Sequence, residues 1–147
     1  MTYKTILAAC DGTDLGNEAV IHAAGLAALI GASVSVITVS APPPTFAASE
    51  IGWSIPSSVY DEIHTANAAR AKRIFAEAAR ISGAEFKDSI HIENSGPAEA
   101  IIDVAGRIGA DLIVMGSHGY RGISKLVLGS QAAKVLSHSS VPVLIVK

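Results

Sequence analysis

Two segments decide the fold: Ala110-Asp111-Leu112-Ile113-Val114-Met115-Gly116-Ser117-His118-Gly119 and, after nine more residues, Gly129-Ser130-Gln131-Ala132-Ala133-Lys134-Val135-Leu136. The first is an apolar run typical of a buried strand that leads into spaced glycines, and the second opens a helical pattern. Glycines let a backbone approach a ligand closely, and the first amides of a helix lack partners within that helix. The segments therefore predict a strand, a glycine loop and a helix N-terminus that together form an anion site.

The glycine spacing differs from two common phosphate motifs. No Gly-Lys-Ser/Thr ends the loop, so it is not a Walker A sequence. Gly116, Gly119 and Gly122 are each three residues apart, which is not the GxGxxG pattern. The alternative to an anion site is a loop whose glycines serve turns only.

Outside these segments, strand-like and helix-like patterns alternate along the chain. Strands are predicted at 4–9, 34–39, 85–92, 110–115 and 142–146, and helices at 15–29, 58–82, 97–108 and 131–137. Gly31 and Gly109 are expected to end the first and third helices. This order predicts one domain with an open five-stranded parallel sheet and helices on both faces. In such sheets ligands bind beyond the carboxyl ends of the strands, where Asp11 and Gly116 meet if strands 1 and 4 are neighbours.

Two helical faces and one loop carry further expectations. The first helix places Leu15, Ala19 and Leu26 on its apolar face, together with His22 or Ala23 and with Leu29 or Ile30. In the long second helix we expect these polar residues on a solvated face: Arg70, Lys72, Arg73, Glu77 and Arg80. The Pro-rich segment from Pro42 to Ser57 predicts either a lid or binding loop, or an insertion without a role.

Composition limits the class of protein. The chain has 147 residues, 50% of them hydrophobic and 5% aromatic, with a net charge of -2, so we expect no nucleic-acid partner. The apolar stretch from Ala23 to Ala32 is too short to cross a bilayer, and the N-terminus enters a strand directly, so neither a membrane segment nor a signal peptide is expected. The single cysteine, Cys10, suits a reducing cytoplasm.

The residues around the predicted crevice each have two interpretations. Asp11 suits a ribose hydroxyl, a base or a water-bound Mg²⁺, but Asp-Gly is also a common turn pair. Ser130 suits a phosphate or the cap of its own helix. Arg121 lies in a stretch without acidic residues, so it either balances the negative charge of a phosphate or is a solvated loop residue. His118 suits a phosphate or a metal, or it is an exposed loop histidine without a role.

Catalysis is not indicated by these residues. No Gly-x-Ser-x-Gly surrounds Ser117, the histidines lack metal-ligand spacing, and neither a general base nor an arginine is placed for phosphoryl transfer. A slow ATPase is the most that the sequence allows, so enzyme activity stays an open question.

Four segments resemble the universal stress protein family over nearly the full length of the chain. They are the opening strand and acidic turn from Thr5 to Thr13, Gly96-Pro97 with Ile101, Gly116-x2-Gly119-x9-Gly129-Ser130, and the ending from Val141 to Val146. The third segment is the pattern of the ATP-binding branch. Cys10 departs from the Val, Thr or Pro usual before the acidic residue, with little effect expected, and the segment from Pro42 to Ser57 matches nothing firmly.

This resemblance implies an adenine nucleotide α-hydrolase-like, Rossmann-like fold with strand order 3-2-1-4-5. It implies ATP with adenine near Val39 and Met115, ribose near Ala9 and Asp11, and Mg²⁺ or Mn²⁺ held through the phosphates. The phosphate side of the candidate site comprises Gly116, Ser117, His118, Gly119, Arg121, Gly129, Ser130 and Gln131. The resemblance also implies a homodimer through the last strand, Val143 to Val146, and a regulatory stress-response role with an unknown protein partner. Two alternatives remain: a dimeric interaction module that does not use nucleotide, and a weak ATP-hydrolysing or phosphotransfer enzyme.

Overall fold

A computed structural model describes residues 2–44, 55–118 and 127–147. The described part contains five strands and four helices, in this order: β1 (Thr5–Ala9), α1 (Asp14–Ile30), β2 (Ser33–Ser40), α2 (Ser57–Ser82), β3 (Ser89–Glu93), α3 (Pro97–Ile108), β4 (Leu112–Gly116), α4 (Ser130–His138) and β5 (Val143–Val146). The alternation and the element types agree with the sequence-based prediction. Most of the segment from Pro42 to Ser57 lies outside the described residues.

The strands form one parallel sheet in the order β3-β2-β1-β4-β5, which confirms the predicted fold class. β1 lies at the centre, where Ile6 pairs with Val34 of β2 on one side and Leu112 of β4 on the other. Consequently β1 and β4 are neighbours, as the predicted crevice requires.

Helices cover both faces of the sheet, and successive residues of β1 serve opposite faces. Ile6 and Ala8 pack with the core that includes Val20 of α1 and Ile74 of α2. Leu7 packs with the second core, which α3 and α4 complete. Because both faces are buried, the central strands β1 and β4 are nearly continuous apolar runs, whereas β2 alternates small polar residues with Val.

The ends of the elements follow local residue chemistry. Gly31 caps α1 in the left-handed conformation with φ 73°, and Gly109 follows α3, as predicted. Gly12 takes φ 84° between β1 and α1, which is a conformation that favours glycine.

Of the alternatives on the apolar face of α1, Ala23 is buried and Ile30 is partly buried, whereas His22 is exposed and Leu29 is 86% exposed. One sequence-based strand boundary was wrong. β3 begins at Ser89 rather than at residue 85, because the chain first leaves α2 at Gly83 and packs Phe86 against the core. None of the described helices combines the length and the apolar character needed to cross a membrane.

Candidate functional site

A pocket of about 750 Å³ opens at the carboxyl ends of β1, β2 and β4. Ten of the twelve predicted site residues line it: Ala9, Asp11, Val39, Met115, Gly116, Ser117, His118, Gly129, Ser130 and Gln131. The other two, Gly119 and Arg121, lie outside the described residues. The sheet order brings these residues together, because each described one lies within two residues of the carboxyl end of a strand or of the start of α4. Their contacts with a ligand stay a prediction.

Asp11 follows β1 and is fixed by the start of α1. Its Oδ1 accepts hydrogen bonds from the backbone N–H of Thr13, at 3.1 Å, and from the Thr13 hydroxyl. Thr13 in turn caps α1 by accepting a bond from the N–H of Gly16 at 3.2 Å. Asp11 is therefore a turn-forming residue, but the turn uses only Oδ1. In the described part of the chain Oδ2 has no hydrogen-bond partner, so it remains able to accept from a ligand.

Gly129 brings the chain back against the end of β4. Its N–H donates to the main-chain oxygen of Ser117 at 2.7 Å, while the N–H of Ser117 donates to Val146 of β5 at 2.8 Å. A Cβ at position 129 would lie 2.7 Å from that Ser117 oxygen. The backbone angle of Gly129, φ -61°, is ordinary. Glycine is required at this position for space, because the two backbone segments are in direct contact.

The N-terminus of α4 opens into the pocket beside this contact. Ser130 is the first residue of the helix, and the cap residue is Gly129, which has no side chain to bond the free amides. Ser130 therefore does not occupy the capping position, which was the alternative to phosphate binding. Unpartnered first-turn amides and the helix dipole favour an anion at this place.

Gln131 performs a structural task as well. Its Oε1 accepts a hydrogen bond from the N–H of Ala98 at 3.0 Å. This bond fixes the start of α4 to the first turn of α3, where Pro97 also lines the pocket. One of the two lone pairs of its carbonyl oxygen is thus engaged in the protein, and the amide N–H groups of Gln131 remain as donors to a ligand.

His118 continues from buried Ser117 into the pocket. Its Nδ1 lies 2.9 Å from the Ser117 hydroxyl, and its Nε2 is buried without a hydrogen-bond partner among the described residues. Residues 119–126, which follow it, lie outside the described part. The imidazole is therefore held by its neighbour, with Nε2 left for a further contact.

Helix α2 contributes two lining residues that the sequence did not assign to the site, Asn67 and Arg70. Asn67 Nδ2 donates to the main-chain oxygen of Ala41 at 3.0 Å, and Arg70 Nη2 donates to that of Asp11 at 2.9 Å. The assignment of Arg70 to a solvated face was therefore wrong. The available signal was its spacing, because residues 67, 70 and 74 share a helix face and Ile74 is buried.

The end of β2 adds a part-buried polar pair at the pocket wall. The hydroxyl of Ser40 lies 3.0 Å from Nε2 of His91 on β3, and Ser40 lines the pocket. Cys10 also lines the pocket but is only 3% exposed, and burial raises the pKa of its thiol. A raised pKa keeps the thiol neutral, which makes Cys10 a poor nucleophile at neutral pH.

The described residues contain no group of three His, Cys, Asp or Glu side chains arranged to hold a metal ion. Asp11 and Arg70 are the described lining residues with a formal charge at neutral pH. Combined with the glycine contact and the helix N-terminus, this wall suits a ligand that has both an apolar part and an anionic part.

Comparison with known proteins identifies the family. The sequence profile of the Universal stress protein family matches residues 2–147. A Thermus aquaticus protein, named for its place in the 3' region of a QAH/OAS sulfhydrylase, is a universal stress protein 34% identical over 145 residues, with 99% of each chain covered.

Two solved structures have the same fold. Universal stress protein UspA from Lactobacillus plantarum superposes with a TM-score of 0.82 at 23% identity, covering 100% of this chain and 99% of that one. A universal stress protein in complex with cAMP superposes with a TM-score of 0.65 at 26% identity, covering 99% and 98%. On the profile match and the Thermus relative together, the chain belongs to the universal stress protein family.

Proposed function

We propose that this single-domain chain, residues 1–147, binds ATP in the pocket at the carboxyl ends of β1, β2 and β4. The observation that carries the proposal is the backbone contact between Gly129 and Ser117 beside the free N-terminus of α4. A helix N-terminus reached through a glycine contact is a favourable place for phosphate oxygens.

The residues present fit an adenine nucleotide. The pocket volume of about 750 Å³ lies inside the range of roughly 300–1,000 Å³ usual for small-molecule sites. Val39 and Met115 supply apolar contacts for the base, and Asp11 Oδ2 supplies an acceptor for ribose hydroxyls. Mg²⁺ or Mn²⁺ enters with the phosphates. A relative solved in complex with cAMP supports an adenine nucleotide as the ligand class.

The proposal includes a homodimer formed through β5. This strand is at the edge of the described sheet, and Leu144 on it is 39% exposed. An apolar edge strand is an aggregation hazard unless it is paired, and a second copy of β5 provides the pairing. The main-chain oxygens of Pro142 and Val146 accept hydrogen bonds from the side of β4, and backbone groups alternate along a strand, so the N–H of Ile145 points away from β4. Ile145→Pro therefore removes a hydrogen-bond donor from the free edge of β5. Sedimentation equilibrium of this variant tests the interface. A monomer is the expected result, and an intact dimer would remove β5 from the interface.

We assign the ATP-bound dimer a regulatory role in the cytoplasm, in which the occupied pocket changes the surface read by a protein partner. Slow hydrolysis is compatible with this role, because binding and not turnover carries the signal. An interaction module that ignores nucleotide is the competing function.

Identification of the nucleotide bound in cells separates these functions. The protein is purified without denaturation, unfolded, and the released small molecules are identified by mass spectrometry. We expect ATP or another adenine nucleotide from the wild-type protein and much less from Gly129→Ala. Equal, near-zero release from both, combined with no binding of added ATP, would favour the interaction module.

A further inference from the structure

Arg70 lies over the end of β1 on the same wall as Asp11. It projects from α2, is partly buried, and lines the pocket. Its Nη2 donates to the main-chain oxygen of Asp11 at 2.9 Å. This one bond anchors the guanidinium at the rim of the pocket.

Contacts on either side of Arg70 along α2 hold the helix in place. One turn before it, Asn67 donates to the main-chain oxygen of Ala41 at 3.0 Å, beyond the end of β2. One turn after it, Ile74 packs so closely on the turn at Gly12 that a Cβ there would lie 3.1 Å from Ile74 Cγ1. Because α2 is fixed at both points, the position of the guanidinium is set before a ligand arrives.

The guanidinium has donors left for a ligand. It carries five N–H groups, and hydrogen bonds within the described part of the chain use one of them. No carboxylate of that part lies within ion-pair distance of it. A partly buried cation without an anionic partner is stabilised when a ligand supplies one, and the planar guanidinium matches phosphate oxygens.

Building on the proposed nucleotide site, we propose that Arg70 contacts a phosphate oxygen of the bound nucleotide and makes the pocket discriminate phosphate-bearing nucleotides from the bare nucleoside. The Asp11 carboxylate then contacts the ribose, and the main-chain oxygen of Asp11 binds Arg70, which contacts the phosphate. The two charged side chains of the described wall thus bind different parts of the ligand.

The test compares ligands that differ only in phosphate content. Calorimetric titrations with ATP, AMP and adenosine are run on wild type, Arg70→Gln, Arg70→Lys and Arg73→Gln. Arg73→Gln is the matched control, because it removes the same charge from the same helix at an exposed position. Thermal unfolding of each variant shows that it is folded.

We expect Arg70→Gln to weaken ATP binding about 10- to 100-fold, as loss of a charge-assisted hydrogen bond does, and to change adenosine binding less than about twofold. Arg70→Lys should retain part of the ATP preference because it keeps the charge but not the fork of donors. Arg73→Gln should bind every ligand as the wild type does.

Two results would overturn the inference and leave the nucleotide site standing: unchanged ATP binding by Arg70→Gln, or equal weakening for ATP and adenosine. The second would assign Arg70 only to holding the β1–α1 turn. A wild-type protein that binds none of the three ligands would overturn the proposed function itself, and this inference with it. If Arg70→Gln does not fold, Arg70→Lys decides: an ATP-to-adenosine preference equal to that of the wild type contradicts the inference.

Discussion

The position of the Asp11 carboxylate requires glycine at position 16: a Cβ there would lie 2.7 Å from Asp11 Oδ1 and 3.1 Å from the backbone nitrogen of Asp11. Gly16 is in the first turn of α1 and donates its N–H to the Thr13 hydroxyl, which itself bonds the same carboxylate. The acidic residue at the tip of β1 is therefore positioned by a glycine five residues later.

Replacing Gly16 by Ala should displace the Asp11 carboxylate and weaken ATP binding at least about tenfold, while overpacking lowers the free energy of unfolding by about 1–3 kcal/mol. Gly25→Ala is the control in the same helix, because a Cβ there meets nothing within 4 Å. It should raise the free energy of unfolding by about 0.5–1 kcal/mol and leave binding unchanged. Urea unfolding and calorimetry measure both quantities. Normal ATP affinity in Gly16→Ala would show that the carboxylate does not serve the ligand.

At the other side of the pocket, Gly129→Ala should separate the two backbone segments, since its Cβ would meet the Ser117 oxygen at 2.7 Å. We expect ATP affinity to fall by at least about tenfold because the α4 amides move away from the phosphates. Gly106→Ala on α3, with open space around its Cβ, is the control. Calorimetry on both variants decides, and equal affinity for the pair would assign the glycine to architecture alone.

A third prediction concerns stability only. The Asp111 carboxylate accepts the N–H of Lys4 at 2.8 Å and of Thr5 at 3.1 Å, and so ties the start of β1 to the start of β4. Asp111→Ala should lower the free energy of unfolding by about 1–3 kcal/mol, because it removes two hydrogen bonds to a charged group, one of them from the part-buried N–H of Thr5. Asp103→Ala breaks an exposed ion pair with Arg107 and should change the free energy of unfolding by less than about 1 kcal/mol. Similar values for both variants in urea unfolding would contradict the assignment.

Cys10 gives a pH dependence with a definite sign. Burial raises the pKa of its thiol above the ordinary value of 9.0, so the thiol ionises more easily in the unfolded chain. The unfolded state therefore binds fewer protons at high pH, and this contribution to stability is lost as the pH rises above about 9. Cys10→Ala removes it. Between about pH 8 and pH 10, the free energy of unfolding of the wild type should fall more than that of the variant. Parallel pH profiles of the two proteins would contradict a buried neutral thiol.

The sheet and its order could be anticipated because the deciding signals are local. Apolar β-branched runs mark strands that are buried on both faces, and Gly31 and Gly109 mark helix ends. The glycine spacing predicts a loop between β4 and α4, but residues 119–126 of that segment lie outside the described part of the chain. The start of β3 was misplaced because Phe86 is partly buried by packing on the core and does not join the sheet.

The spacing of Arg70 on α2 could place it on the inward helix face but not at the pocket, and the local sequence pattern gave no signal for Gly16. Gly16 matters because its α-carbon faces the Asp11 carboxylate, and Arg70 matters because its guanidinium reaches from α2 to the main-chain oxygen of Asp11, 59 positions away in the sequence. Hydrophobic periodicity assigns a helix face to such residues but not the element that the face meets.

Calorimetric titration of the wild-type protein with ATP and Mg²⁺ shows directly whether the pocket at the strand ends binds nucleotide. We predict saturable binding of one ATP per subunit, lost or strongly weakened in Gly129→Ala and retained in Gly106→Ala. Absence of binding up to about millimolar ATP, where the binding free energy would be only about 4 kcal/mol, would contradict it. In that case the pocket at the strand ends would not be a nucleotide site.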